Sequence, residues 1–193
     1  MLSITGDKEA DRLLSEDPLA LVIGMLLDQQ VPMERAFTAP ADLRDRLGGR
    51  LDAASIAATD PDALIDVFRT RPALHRYPAS MGARVQELCR VIADTYGNDA
   101  SAIWSSASSG EELFEAVRAL PGFGDQKTRI FVALLGKQLG VRPPGWEKAS
   151  APYSDAGAHR SVADIDSPAA LAKVREHKRK MKAEARAKAS ANG

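Results

Sequence analysis

The longest apolar run lies early in the chain, at residues 19–27 (Leu-Ala-Leu-Val-Ile-Gly-Met-Leu-Leu), directly behind Asp17-Pro18. Positions 19, 22, 23, 26 and 27 fall on one face of a 3.6-residue helix and 21 and 25 on another, so the helix is expected at the centre of the fold. Proline at its first position starts it. A second helix is predicted over residues 80–97, capped by Ser80 and closed by Gly97, with Val85, Leu88, Cys89, Ile92 and Tyr96 on its inner face. A third pair of apolar stripes, Leu113, Phe114 and Val117, then Ile130, Phe131, Leu134, Leu135 and Leu139, flanks Leu120-Pro121-Gly122-Phe123-Gly124. That pattern is a helix, a tight hairpin at 120–124, and a helix.

Shorter elements fill the remainder. Residues 1–15 read as a leading segment in which Thr5 or Asp7 caps a turn holding Leu13 and Leu14. A helix over 32–47 is begun by Pro32 and stopped by Gly48-Gly49, with Pro40 expected to break or kink it. A helical turn follows at 53–57, and Thr59-Asp60-Pro61 caps a helix reaching Phe68. The expected fold class is all-α, with a core from the helices near 18–30, 80–97 and 125–139 and a pocket between the first and the last.

The hairpin has chemistry of its own. Its two glycines permit positive φ and close backbone approach, Pro121 ends the first helix, and Asp125 is available to cap the second. Free N–H groups at the start of that second helix suit an anion, and Lys127 and Arg129 add positive charge in its first turn. A phosphate is the natural ligand. Residues 69–79 form a loop with Arg69, Arg71, His75 and Arg76, read as a solvated basic loop with phosphate contact as the alternative.

Composition changes the picture in three ways. Hydrophobic residues at 45% and charged residues at 27% of 193 suit a globular unit with a real core. The single cysteine, Cys89, excludes disulfides and a four-cysteine iron–sulfur cluster; no other cofactor or metal is expected. The net charge is zero but unevenly placed: residues 173–188 hold eight Lys or Arg against Glu176 and Glu184. No basic head and cleavage site precede the first apolar run, and nine residues fall far short of the roughly 20 that cross a bilayer. A cytoplasmic, monomeric protein with no membrane partner is expected.

Leu120-Pro121-Gly122-Phe123-Gly124, followed by a polar, lysine-containing turn and an apolar helix, resembles the helix-hairpin-helix of the HhH-GPD superfamily of base-excision DNA glycosylases. Its order of helices is similar from about residue 18 to 140, and Leu27-Asp28-Gln29-Gln30-Val31 resembles the segment that plugs the duplex in its alkylpurine and adenine branches. The resemblance implies double-stranded DNA as partner, gripped through Gly122, Phe123, Gly124, Gln126, Lys127 and Arg129, with Gln30 as the plug. It also implies association with the nucleoid. The chain then divides into a helical domain over 1–140, a Pro-rich irregular segment over 141–166 packing on it, and a basic C-terminal helix and tail over 167–193, read as solvated and frayed.

Two positions decide what such a protein would do. Strand-cutting relatives have lysine two residues after the second hairpin glycine, where this chain has Gln126, so the resemblance implies a monofunctional N-glycosylase without lyase activity. The aspartate that supports the departing base's sugar is expected about eighteen residues later, where this chain has Pro144. Asp28, Glu147 and Asp155 are the substitute carboxylates, and Trp146 and Tyr153 are candidates to stack on an extruded base. A non-catalytic DNA-binding module of the same fold and a helical protein-interaction domain are the alternatives.

Overall fold

The computed structural model describes residues 1–191, with side chains to Lys188. Among the described residues there are helices and no strands. α1 (Lys8–Glu16) begins at Asp7, whose carboxylate accepts from the Glu9 and Ala10 amides. The residues before it are fastened, with Leu2 and Ile4 buried and buried Asp11 accepting from the Ile4 and Thr5 amides at 3.0 and 2.9 Å.

α2 (Pro18–Leu27) is the buried centre, every residue from Leu19 to Leu27 being inside. Asp17 caps it through the Leu19 and Ala20 amides. Each Leu, Ile or Met interred there contributes about 1.5–3 kcal/mol. α3 (Met33–Arg46) crosses it closely at Gly24, where a Cβ would stand 2.8 Å from the Phe37 ring. A Gly24→Leu change would force these helices apart.

Pro40 was expected to break or kink α3; it does not break it, and the helix runs through to Arg46. Burial of Phe37, Ala39 and Pro40 against the core outweighs the missing N–H. α4 (Ala53–Ala58) and α5 (Pro61–Arg69), capped by Asp52 and Asp60, both pack on α6 (Pro78–Thr95). α6 starts at Pro78, two residues before the expected Ser80, because a proline at the first helical position needs no N–H partner. Cys89 is buried on its inner face, as its neighbours implied, and burial pushes its thiol up to about 12.

A short α7 (Ala102–Ser105) places Trp104 edge-on to Phe131 at 6.0 Å. α8 (Gly110–Arg118) and α9 (Asp125–Gln138) form the hairpin pair. α10 (Trp146–Ser150) crosses α9 at Gly136, where a Cβ would be 2.3 Å from the Trp146 ring. The 3-10 turn Val162–Asp164 packs on α9, with Asp164 accepting from Lys137 Nζ at 2.6 Å and from the Arg160 and Ser161 amides.

α11 (Pro168–Ala191) is less solvated than its composition predicts. Ala170, Leu171 and Val174 are buried in the core, and Arg175 pairs with Glu34 of α3. Beyond these turns the residues from Lys178 to Lys188 are exposed. No helix among the described residues is long and apolar enough to cross a membrane.

Candidate nucleic-acid interface and base pocket

The hairpin turns where Gly122 takes φ +83° and lies against α2; a Cβ there would be 2.4 Å from Leu26. Phe123 is buried edge-on to Phe131, so its side chain belongs to the core and only its backbone is left to meet a ligand. Gly124, in extended conformation, is the N-cap of α9 and supplies no side-chain cap. Asp125 was expected in that capping role; instead it is the first helical residue, its carboxylate held by Arg118 Nε at 2.5 Å. The first-turn amides therefore lack an intrahelical partner beside exposed Gly124, Asp125 and Gln126. Such a terminus attracts anions, and Arg118 offsets part of the Asp125 charge.

Lys127 departs from expectation in the direction it points. Its ammonium turns inward and donates to the Met25 and Leu26 carbonyls at 2.8 and 2.9 Å, so it closes the last turn of α2 and is not extended toward a phosphate. These are carbonyls that a helix end leaves without partners, which is why a cation is welcome. Burial pushes the Lys127 amine down to about 8, with Asp28 opposing the fall and Arg84 adding to it. Arg129 also turns away from the hairpin tip, donating to Ala149 and Ala151 carbonyls at 3.3 Å and lying over Phe114.

Asp28 is the C-cap of α2, and Gln29 donates back to the Leu26 carbonyl. His75 was read as part of a solvated loop, but it is 3% exposed. Its Nδ1 accepts from the Tyr77 amide, so Nε2 carries the proton and donates to the Gln29 carbonyl at 2.9 Å. Burial lowers its pKa from the ordinary 6.5, against the pull of the Gln29 and Leu27 backbone. Gln30, braced from beneath, is exposed with φ +56°, a left-handed conformation that costs an L side chain about 1–3 kcal/mol.

Between α2 and α9 opens a cavity of about 710 Å³. Its floor is Met25 and Asp28 from α2 with Gln126, Lys127 and Ile130 from α9. Pro152, Tyr153 and the segment Arg160–Val162 form one side, and α11 closes the other with His177, Lys178 and Met181. Tyr153 accepts from Gln126 Nε2 at 3.0 Å, fixing its ring at the rim.

The three substitute carboxylates are not brought together. Asp28 lines the cavity, its side chain 17% exposed and 3.9 Å from Lys178 Nζ. Asp155 is exposed and paired with Arg160 at 3.1 Å. Glu147 is exposed on α10. Trp146 is buried under Gly136 with Arg142 over its ring, so it caps the core and does not line the cavity as a stacking residue would. Pro144 accepts from the Gly110 amide at 2.8 Å and serves to hold α8.

No family model, curated protein or solved structure matches this chain. Among the described residues no cluster of His, Cys, Asp or Glu is arranged to hold a metal ion. Sequence reasoning did not place Arg160, Ser161, His177, Lys178 or Met181 at the cavity. The α11 set had a signal: 177, 178 and 181 follow the buried 170, 171 and 174 by one heptad, which keeps them on the same helix face.

Proposed function

We propose that this protein binds duplex DNA through the hairpin amides and Gln30, and that it is a monofunctional DNA N-glycosylase receiving a base in the adjoining cavity. The observation that carries the reading is the position of Asp28. Of the three carboxylates considered, it alone lines the cavity, two residues before the strained, exposed Gln30 and beside the Lys127 contact that joins α2 to the hairpin helix.

In this reading the C1′–N bond breaks with its electron pair leaving on the base, and positive charge grows on the sugar. Asp28 stabilises that charge, water adds to C1′, and the water proton is lost to solvent. Preorganised electrostatics of this kind is worth about 3–4 kcal/mol. Lys127 is committed as an ammonium to two carbonyls, which withholds its lone pair from attack on the sugar. Release is then hydrolytic.

The test is a panel of damaged duplexes incubated with Asp28→Asn, Glu147→Gln and Asp155→Asn variants. Base release lost only in the first, with duplex affinity kept, is the expected outcome. Full release by Asp28→Asn would sink the assignment. One observation favours a second reading, a non-catalytic DNA-binding module: Lys178 already faces the Asp28 charge. Tight duplex binding with no release from any lesion would select it.

A further inference from the structure

α11 gives the cavity one of its walls. Ala170, Leu171 and Val174 seat the helix in the core, and one heptad on the same face presents His177, Lys178 and Met181 to the cavity. The C-terminal segment is therefore part of the pocket as well as a basic extension.

The charges around the space are unequal. Lys127, Arg160 and Lys178 line it, against Asp28 alone among lining carboxylates. Asp28 is faced by Lys178, and Arg160 reaches Asp155 at the exposed edge. Recognition of a cationic ring calls for carboxylates or several aromatic faces. Here Tyr153 is the only aromatic lining residue besides His177, and the apolar surface comes from Met25, Ile130, Val162 and Met181. Cationic side chains repel a positively charged base and donate hydrogen bonds to carbonyl oxygens or an anionic ring.

Building on the glycosylase reading above, we propose that α11 is the specificity wall of the pocket: through Lys178 and Met181 it selects neutral or anionic bases carrying added carbonyl oxygens and rejects cationic N-alkylpurines. Lys178 supplies the charge discrimination. Met181 supplies a soft apolar surface that adapts to bases of different outline.

The experiment compares two duplexes identical except at one guanine, 8-oxoguanine in one and N7-methylguanine in the other. Both are built on a hydrolysis-resistant 2′-fluoro sugar and paired with cytosine. The full-length protein should bind the neutral lesion at least about tenfold more tightly than the cationic one. Lys178→Met, which keeps the apolar stem, should narrow the ratio to about threefold or less, and Lys178→Glu should invert it. Circular dichroism verifies that both variants are folded.

Equal affinities, a parent preference for N7-methylguanine, or variants that weaken both duplexes by the same factor would overturn the proposal; the last result makes Lys178 a phosphate contact. Failure to bind any duplex would instead defeat the DNA reading. The pocket would then be judged by the methyl resonances of Met25 and Met181 on adding xanthosine, an anion at neutral pH, or 1-methyladenosine, a cation. Shifts with the first and not the second sustain the charge selection, and any other pattern overturns it.

Discussion

Lys127 gives a direct test of how the hairpin helix is joined to the buried helix. Its ammonium is drawn inside to serve the Met25 and Leu26 carbonyls, and burial lowers its pKa from the ordinary 10.5 to about 8. In the unfolded chain the amine titrates near its ordinary value. Between those two values the unfolded chain holds more protons than the folded one, so stability rises with pH across the window. Below about pH 8 both states are protonated and the folded protein bears the whole cost of burying the charge, roughly 3 kcal/mol. Above about pH 10.5 that cost is gone. Lys127→Met preserves length and stem but removes the titration. It forfeits two charge-assisted hydrogen bonds worth about 1.5–3 kcal/mol each, largely offset by the removed burial cost. At neutral pH the variant should therefore lie within about 2–3 kcal/mol of the parent. Urea unfolding from about pH 7 to 10.5 should show the parent gaining roughly 3 kcal/mol on the variant. Parallel curves, or a parent that loses ground as pH rises, would refute the inward placement of this amine.

Other outcomes follow from single residues. Gly122→Val combines a left-handed φ with a Cβ only 2.4 Å from Leu26; thermal denaturation should show a loss of about 2–4 kcal/mol, and duplex affinity should fall for every sequence. Truncation after Met181 removes Lys182 and Lys188, together with Glu184 and Arg186, while leaving the pocket wall; the slope of log affinity against log salt should shrink by about 1–2, and an unchanged slope would assign the two lysines elsewhere. On the proposed hydrolytic reading, in which Gln126 offers no amine to the sugar, borohydride should trap no covalent adduct, and strands at released bases should break only after alkali. A trapped adduct through Lys127 would overturn the hydrolytic mechanism. Cys89, with its thiol near 12 and buried, should react with alkylating reagents only at the rate of unfolding, as mass spectrometry can follow.

The elements legible in the sequence were those whose signals are local. Asp17-Pro18 announced α2, Asp60-Pro61 announced α5, and the all-round apolar run of α2 foretold its burial. Pro40 does not break α3 because its local penalty is overridden by packing that involves Phe37, whose burial against α2 is invisible in a local window. The hairpin residues were legible as a motif, whereas the directions of their side chains were not. Lys127 and Arg129 looked alike as first-turn cations, but carbonyls more than a hundred positions away in one case and about twenty in the other decided where each ammonium or guanidinium went. The cavity between α2 and α9 agrees with the expected placement, and its α11 wall was hidden by the low apolar content of a helix that needs only one stripe to dock.

Gln30 sits where thermodynamics and use pull apart. Its backbone occupies a region that glycine enters freely and glutamine does not, next to the Gln29 carbonyl that buried His75 anchors. Selection of variants for heat resistance alone would favour Gln30→Gly, which relieves the strain and leaves the packing of the core untouched. Such a screen would erase an exposed amide side chain just beyond the end of the buried helix. A library matured for robustness should therefore hold position 30 fixed, and enrichment of glycine there in an unconstrained library would measure how much stability the protein gives up to keep an amide at that edge.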